Sequence, residues 1–256
     1  MKQSHFFELD DQSWLPQQIL DASTDGLRFK WEILKLNMTI VPRLQEVLLK
    51  TGDQEIIDLE SEGGGPAVAI HRELAKSDCD VLLALTDKFP NVAAFRYARE
   101  QSVGEVDFLD ESVDATAVPS HLQVLRTLFA SLHHFQPELV RSILQDAVDR
   151  RCPIAIFDFS PRVPPPPLLL LMSTPPGELL TTPFMQPFRW SCLFWTYVIP
   201  VVPFYVAWYA FVSGLRLHSL EELQTLVKGL RSDDYAWAIG REASALWLTY
   251  LIGCPT

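Results

Sequence analysis

Between residues 55 and 159 the sequence alternates short apolar runs with helix-length segments, and this alternation is the strongest constraint on the fold. The runs are rich in Val, Ile, Leu and Phe and occupy residues 55–59, 81–87, 106–109, 122–130 and 153–159. Apolar strands that alternate with helices form a parallel sheet that is buried on both faces. The sequence therefore predicts a doubly wound α/β core over residues 51–160.

Two segments outside this core have patterns of their own. Residues 1–50 carry apolar side chains at three- and four-residue spacing, which predicts a helical cap that Pro16 and Pro42 punctuate. Nine prolines between residues 161 and 187 predict a loop or an extended polyproline stretch. We treat residues 161–218 as one unit, a Pro-rich loop followed by an aromatic insertion.

The last part of the chain, residues 219–256, predicts a helix and then a hairpin. Ser219 and Glu222 form the S-x-x-E pattern of a capping box, so we expect a helix to begin there. Two strand-like runs follow at residues 235–242 and 245–253, close enough in sequence to pair with each other.

An uncharged stretch over residues 194–212 is long enough to cross a membrane. Pro200 and Pro203 interrupt it, and proline breaks the hydrogen bonding of a helix interior. Its aromatic residues are spread throughout, whereas membrane aromatics gather at the two interfaces. We therefore expect a broken pair of aromatic helices that covers an apolar pocket, with membrane contact as the alternative.

The charge and the cysteine pattern limit the class of protein. A formal net charge of -11 and a pI near 5 argue against a nucleic-acid surface, which needs clustered Lys and Arg. The four cysteines have no zinc-binding spacing, and no other motif predicts a metal site. An acidic N-terminal stretch stands where a signal peptide would be apolar. These features predict a cytoplasmic protein with free thiols.

An ordered set of motifs resembles the class I, S-adenosylmethionine-dependent methyltransferases, and within them a bacterial group of small-molecule methyltransferase-like proteins. The resemblance implies a Rossmann-like, seven-stranded, mostly parallel sheet that is completed by a terminal antiparallel hairpin. It also implies S-adenosylmethionine as the cofactor and a small molecule as the acceptor. The motifs, in chain order, are FFELDDQSWLP, IIDLESEGGGP, LTDKFPN, VDATAVP, LRTLFASLHHFQP, TYVIPVVP, VSGLR and YLIGCP.

The resemblance places the cofactor at the carboxyl ends of the first strands. Consecutive glycines permit a tight turn with the backbone close to a ligand. A carboxylate at position 87 can accept both ribose hydroxyl protons. An ordinary turn and a helix N-cap are the alternatives for these two features. The implied cofactor-binding residues are Asp58, Glu60, Ser61, Gly63, Gly64, Asp87, Lys88, Phe89, Asp114, Ala115 and Ser131.

The catalytic and substrate-binding candidates lie beyond the fourth strand and in the aromatic segments. His133 or His134 can act as the base, because histidine accepts protons near neutral pH. Tyr197 of the insertion is a third catalytic candidate. Aromatic faces attract a sulfonium cation, although packing in a hydrophobic core is the alternative. The substrate-binding candidates are Phe7, Trp14, Trp190 and Tyr205.

The sequence departs from the family at two places. Glu60 and Glu62 stand where the class usually places glycines, and Trp208-Tyr209-Ala210 replaces a W-D-G pattern whose acid could take a proton. Small-molecule methyl transfer is the first hypothesis. The second is an alkyl transfer or cyclisation that uses the same cofactor and releases methylthioadenosine. The third is a non-catalytic methyltransferase-like binding module.

Overall fold

The computed structural model describes residues 15–102, 106–160, 167–231, 234–243 and 246–256. Seven strands form one sheet in the order β3-β2-β1-β4-β5-β7-β6. Strands β1 to β5 pair in parallel, and β7 is antiparallel to both β5 and β6. The strands are β1 (Glu55–Asp58), β2 (Leu82–Leu85), β3 (Val106–Phe108), β4 (Leu125–Phe129), β5 (Ile154–Phe159), β6 (Tyr235–Glu242) and β7 (Leu248–Pro255).

Helices cover both faces of this sheet, as the apolar character of its strands predicts. The helices are α1 (Gln17–Ile33), α2 (Leu36–Thr51), α3 (Gly65–Lys76), α4 (Val92–Gln101), α5 (Pro137–Asp149), α6 (Pro167–Thr181), α7 (Trp190–Leu193), α8 (Val201–Arg216) and α9 (Leu220–Lys228). Consecutive residues of β1 show the two-sided burial. Ile56 packs in the core with α2, α3 and α4, and Ile57 packs in the core with α5 and α9. The predicted doubly wound, Rossmann-like core is confirmed.

A third apolar cluster joins α1 to the insertion. Ile19 of α1 packs there with Met185, Cys192, Val202 and Tyr205. A π-helical turn, Phe194–Val198, continues α7, and the chain then bends by 85° before α8. The predicted broken pair of aromatic helices is therefore confirmed.

The prediction of a loop or polyproline stretch over residues 161–187 is wrong for most of its described part. Residues Pro167–Thr181 form α6, although Pro175 and Pro176 lie inside it and lack the N–H groups that a helix uses. Helix α6 packs along α8, and this packing outweighs the local preference of the prolines. Pro42 likewise lies inside α2 and does not interrupt it.

The C-terminal predictions are largely confirmed. The Ser219 hydroxyl accepts a hydrogen bond from Glu222 N at 3.2 Å, and the Glu222 carboxylate accepts one from Ser219 N at 2.8 Å, so the capping box is complete. Strand β6 has the predicted bounds. Strand β7 begins at Leu248, three residues later than the predicted run.

Over the described ranges, no single helix combines the length and the hydropathy that crossing a membrane requires. Residues Trp190–Val198 and Val201–Arg216 meet those criteria only as a bent pair.

The capping box provides a direct test of local stability. We expect Ser219→Ala to lower the free energy of unfolding by about 1 kcal/mol, because α9 loses the acceptor for one of its first N–H groups. Urea denaturation followed by circular dichroism measures this loss. Thr225→Ala in the same helix is the control, since its exposed hydroxyl binds only the carbonyl of Glu221. Equal effects of the two substitutions would contradict a specific role for the cap.

Candidate functional site

The candidate site lies where the order of the strands reverses. Strands β2 and β3 continue the sheet on one side of β1, and β4 and β5 continue it on the other. In open α/β sheets, ligands bind in the crevice that this reversal opens at the carboxyl ends of the strands. The side chains that follow β1, β2 and β4 therefore define the crevice.

A buried carboxylate, Asp58, joins the two central strands at this point. Its Oδ1 accepts a hydrogen bond from the Thr127 hydroxyl of β4 at 2.9 Å, and its Oδ2 accepts one from Ser61 at 2.8 Å. Burial raises the pKa of Asp58 to about 7, and the negative charge of Asp87 adds to the shift. Both carboxylate oxygens accept hydrogen bonds from protein hydroxyls, so Asp58 links β1 to the loop that follows it and to β4.

The loop after β1 has the backbone conformation of a glycine-rich turn at positions where this chain carries glutamate. Glu60 has a φ of 58° and Glu62 has a φ of 50°. This left-handed region suits glycine and costs other residues roughly 1–2 kcal/mol each. Glu60 and Glu62 therefore depart from the family pattern in their side chains, whereas their backbone has the left-handed conformation that glycine favours.

The three glycines that follow make room for neighbouring protein groups. A Cβ on Gly63 would lie 2.6 Å from Thr24 Cγ2, and one on Gly65 would lie 3.0 Å from Arg28 Cβ, both in α1. Gly64 has a φ of +74°, and a Cβ there would meet Leu85 at 2.8 Å. The sequence predicts that these glycines allow the backbone to lie close to a ligand. In the structure, the groups that lie this close to the three glycines belong to α1 and to the core.

Asp87, at the end of β2, fastens this loop to the sheet. Its Oδ2 accepts a hydrogen bond from Glu62 N at 2.9 Å, and its Oδ1 accepts one from Phe89 N at 2.8 Å. Asp87 is buried, whereas the side chain of Glu62 is exposed. The Glu62 side chain therefore does not fill the interior beside Asp87.

Several carboxylates converge around Asp87. Burial is the largest cause that raises the pKa of Glu60 to about 8, and the charges of Asp87, Glu62 and Asp114 contribute to this shift against the opposing effect of Lys88. Hydrogen bonds from Lys88, at 2.7 Å, and from Thr116 lower the pKa of Asp114 to about 2. The crevice thus favours a cation.

The neighbouring candidates differ in exposure. Phe89 is 83% exposed beside Asp87, whereas Ala115 is buried in the same apolar core as the inward-facing residues of α5. The Asp114 carboxylate is held by Lys88 and Thr116 in the same loop, so its predicted contact with the adenine edge stays a prediction.

A second buried group lies at the ends of β4 and β5. Asp158 of β5 accepts hydrogen bonds from His133 N and from His133 Nδ1, each at 3.0 Å. Burial by itself raises the pKa of Asp158, but the adjacent His133 imidazole outweighs this effect and lowers it. His133 Nε2 and the Ser131 hydroxyl are both buried and have no hydrogen-bond partner among the described residues. One predicted residue, His133, therefore contacts a carboxylate that the sequence did not single out.

His134 points toward the insertion. Its Nε2 shares a hydrogen bond of 2.9 Å with the hydroxyl of Tyr209 in α8. Burial lowers the pKa of His134 to about 3, and the neighbouring His133 adds to the shift, so His134 is neutral at physiological pH. Tyr209 is also the residue that stands at the acidic position of the family's W-D-G pattern.

The remaining aromatic candidates are dispersed. Tyr197 is about half exposed and donates a hydrogen bond to the carbonyl of Leu179 in α6. Trp190 is 77% exposed, and Tyr205 is buried in the cluster that joins α1 to the insertion. Phe7 and Trp14 lie outside the described residues.

Glu60 supports a test of the electrostatics of the crevice. Its folded pKa of about 8 exceeds the ordinary 4.5, so the folded protein keeps a proton that the unfolded chain releases between these values. The contribution of Glu60 to stability therefore falls as the pH rises from 4.5 to 8. We expect Glu60→Gln to become progressively more stable than the wild type across this window, by on the order of 2 kcal/mol at its upper end.

Denaturant unfolding at several pH values measures this difference. Glu111→Gln, in the exposed loop after β3, is the matched control. A pH-independent difference for Glu60→Gln would show that Glu60 is ionised in the folded protein.

Comparison with known proteins identifies the fold. No family profile and no curated protein matches the sequence. Among solved structures, an O-methyltransferase family protein from Burkholderia thailandensis is 16% identical with a TM-score of 0.50, over 91% of this chain and 59% of that one. A structure described as PigF with SAH is 13% identical with a TM-score of 0.53, over 96% and 63%. The chain therefore spans about six-tenths of the length of these two proteins.

A third structure is comparable in length to this chain. The plantazolicin methyltransferase BpumL, in complex with SAH, is 12% identical with a TM-score of 0.51, over 94% of this chain and 98% of that one. Identities of this size establish the fold alone. The chain has the fold of the class I, S-adenosylmethionine-dependent methyltransferases.

Proposed function

We propose that this protein is an S-adenosylmethionine-dependent methyltransferase that acts on a small molecule. The observation that carries the proposal is the pairing of two groups at the strand reversal of this fold. One is the carboxylate crevice around Asp87, and the other is the buried His133–Asp158 pair. The first suits a cationic nucleoside, and the second suits proton transfer.

The residues of the crevice fit the proposed cofactor. Each Asp87 oxygen accepts one backbone N–H, which leaves each oxygen able to accept a further hydrogen bond from a ribose hydroxyl. S-adenosylmethionine carries a sulfonium and an ammonium against one carboxylate, so its net charge is positive. The negative charges of Asp87 and Asp114 favour such a ligand, and a bound cation favours the ionised form of Glu60, which burial and these charges disfavour in its absence.

The second group supplies the proton chemistry. When bound, S-adenosylmethionine supplies an electrophilic methyl group. Because Asp158 accepts the Nδ1 proton, the neutral His133 ring carries its lone pair on Nε2, the atom without a protein partner among the described residues. Nε2 accepts the proton that an acceptor hydroxyl loses as its oxygen is methylated. Asp158 orients the ring and stabilises the imidazolium that forms.

The His134–Tyr209 pair has a different role in this proposal. His134 stays neutral and is already hydrogen-bonded, so it is a poorer base than His133. Tyr209 is held at the end of β4 by this bond, and it positions α8 over the acceptor side of the crevice. Proximity of the reactants supplies the remaining acceleration.

No feature of the described residues favours the cyclisation or the non-catalytic alternative over methyl transfer. The products distinguish the three hypotheses. Methyl transfer yields S-adenosylhomocysteine, and cyclisation yields methylthioadenosine without an added acceptor. A binding module yields neither product.

Cofactor binding is tested at Asp87. We expect Asp87→Asn to weaken S-adenosylmethionine binding about 10- to 100-fold, because a charge-assisted hydrogen bond to the ribose is lost. Isothermal titration calorimetry measures the affinity, and circular dichroism verifies that the variant folds. Asp107→Asn on β3 is the control, since this exposed carboxylate pairs only with Arg99 among the described side chains. Micromolar binding by Asp87→Asn, or no binding by the wild type, would contradict the assignment.

Catalysis is tested at Asp158 and His133. Mass spectrometry of copurified small molecules and a panel of phenols, carboxylic acids and amines identify an acceptor through S-adenosylhomocysteine formation. We expect His133→Gln and Asp158→Asn to lower kcat about 10²- to 10⁴-fold with little change in cofactor affinity. His121→Gln, which replaces an exposed histidine before β4, is the control with an intact base. Unchanged kcat in both His133→Gln and Asp158→Asn would remove His133 from the mechanism.

A further inference from the structure

Exposed apolar side chains are concentrated in one part of the molecule. Of the nineteen large apolar side chains that are exposed among the described residues, twelve lie between residues 169 and 204. Trp190 is 77% exposed, Val198 68% and Phe204 66%. We name their surface the apolar insertion face. It is defined by Phe184, Trp190, Phe194, Val198, Ile199 and Phe204.

Contacts between neighbouring elements bring these residues onto one region. The Tyr197 hydroxyl binds the carbonyl of Leu179, which joins the π-helical turn to the end of α6. The rings of Phe188 and Trp190 meet edge to face at 5.2 Å. The short helical turn that ends at Phe184 packs on α7, and α8 packs on both α6 and the π-helical turn. The face is therefore formed by segments that pack directly on one another.

The segments that form this face contain few charged residues. Residues 167–216 contain three charged side chains: Glu178, Arg189 and Arg216. Glu178 is fully buried and pairs with Lys30 of α1, and Arg216 is also buried. Arg189 binds Asp21 and Asp25 of α1. Each of the three is therefore buried or paired with α1, although water-facing surfaces of proteins are about a quarter charged.

The helices of this region are bent and do not form one straight apolar span among the described residues. The two helical segments pass the hydropathy criterion for a membrane span as a pair, yet they bend by 85° at Ile199–Pro200. The outward residues include Trp190, and tryptophan is enriched at the headgroup level of a bilayer. Outward Trp and Phe side chains are also the type that an interfacial helix buries at the boundary between headgroups and acyl chains.

We propose that the apolar insertion face docks on the surface of a zwitterionic phospholipid bilayer. Burial of the six side chains in the interface drives the association. A zwitterionic surface matches the face because neither carries net charge, whereas an anionic surface repels a chain with a net charge of -11. The interface with a water-soluble protein has a polar rim, whereas the one partly exposed charged side chain of residues 167–216, Arg189, is paired with Asp21 and Asp25 of α1.

Vesicle flotation of the full chain tests this proposal with phosphatidylcholine vesicles as the probe. We expect the wild type to float with the vesicles and the triple variant Trp190→Ser, Val198→Ser, Phe204→Ser to bind at least tenfold more weakly. Leu49→Ser, which removes a side chain that is 86% exposed on α2, is the matched control and should bind as the wild type does. Circular dichroism verifies that each variant folds.

Two further measurements separate lipid binding from the other occupants of the face. Replacing 30% of the lipid by phosphatidylserine should weaken binding, and stronger binding would overturn the zwitterionic assignment. Light scattering after gel filtration measures the oligomeric state. A dimer that the triple variant abolishes, together with no flotation of the wild type, would assign the face to a second copy of the chain. Equal flotation of the triple variant and the wild type would also overturn the proposal.

Discussion

The geometry of the candidate site depends on one buried carboxylate. Asp58 ends the central strand and would be costly to bury alone. It is stabilised there by hydroxyl donors from two segments, Ser61 in the loop and Thr127 in β4. The Thr127 bond links Asp58 to the residue opposite it in the β1–β4 ladder, and the Ser61 bond begins the turn that leads Glu62 N to Asp87. Buried side chains therefore maintain the geometry of the crevice, and the exposed side chains around it are not needed for this.

Around this fixed frame, the loop after β1 combines two unfavourable features. Glu60 and Glu62 adopt left-handed backbone conformations, and the charges of Asp87 and Glu62 act on the Glu60 carboxyl group and disfavour its ionised form. Strain and like-charge repulsion of this kind concentrate at functional sites, where a ligand relieves them. The turn persists because Asp87 binds its backbone and α1 packs against Gly63 and Gly65.

Much of the fold could be predicted from the sequence, because alternating apolar strands and helices admit few arrangements. The turn at Gly63 and the capping box at Ser219 have strong local signals. Other features depend on tertiary contacts. Asp158 lies in the apolar run IAIFDF, and its contact with His133 forms only where β5 meets the segment after β4. Tyr209 lies in an uncharged aromatic stretch, where its bond to His134 leaves no local pattern. Helix α6 forms against the preference of its prolines because α8 lies beside it.

Helix α8 connects the apolar insertion face to the end of β4. Phe204 faces outward, and Tyr209, little more than one turn later, binds His134 at the end of β4. A rigid helix cannot shift one of these residues without the other. A force that lifts the insertion from the core must therefore break the bond between the phenol and the imidazole. Opening of the insertion is therefore coupled to movement of Tyr209 away from His134 at the end of β4.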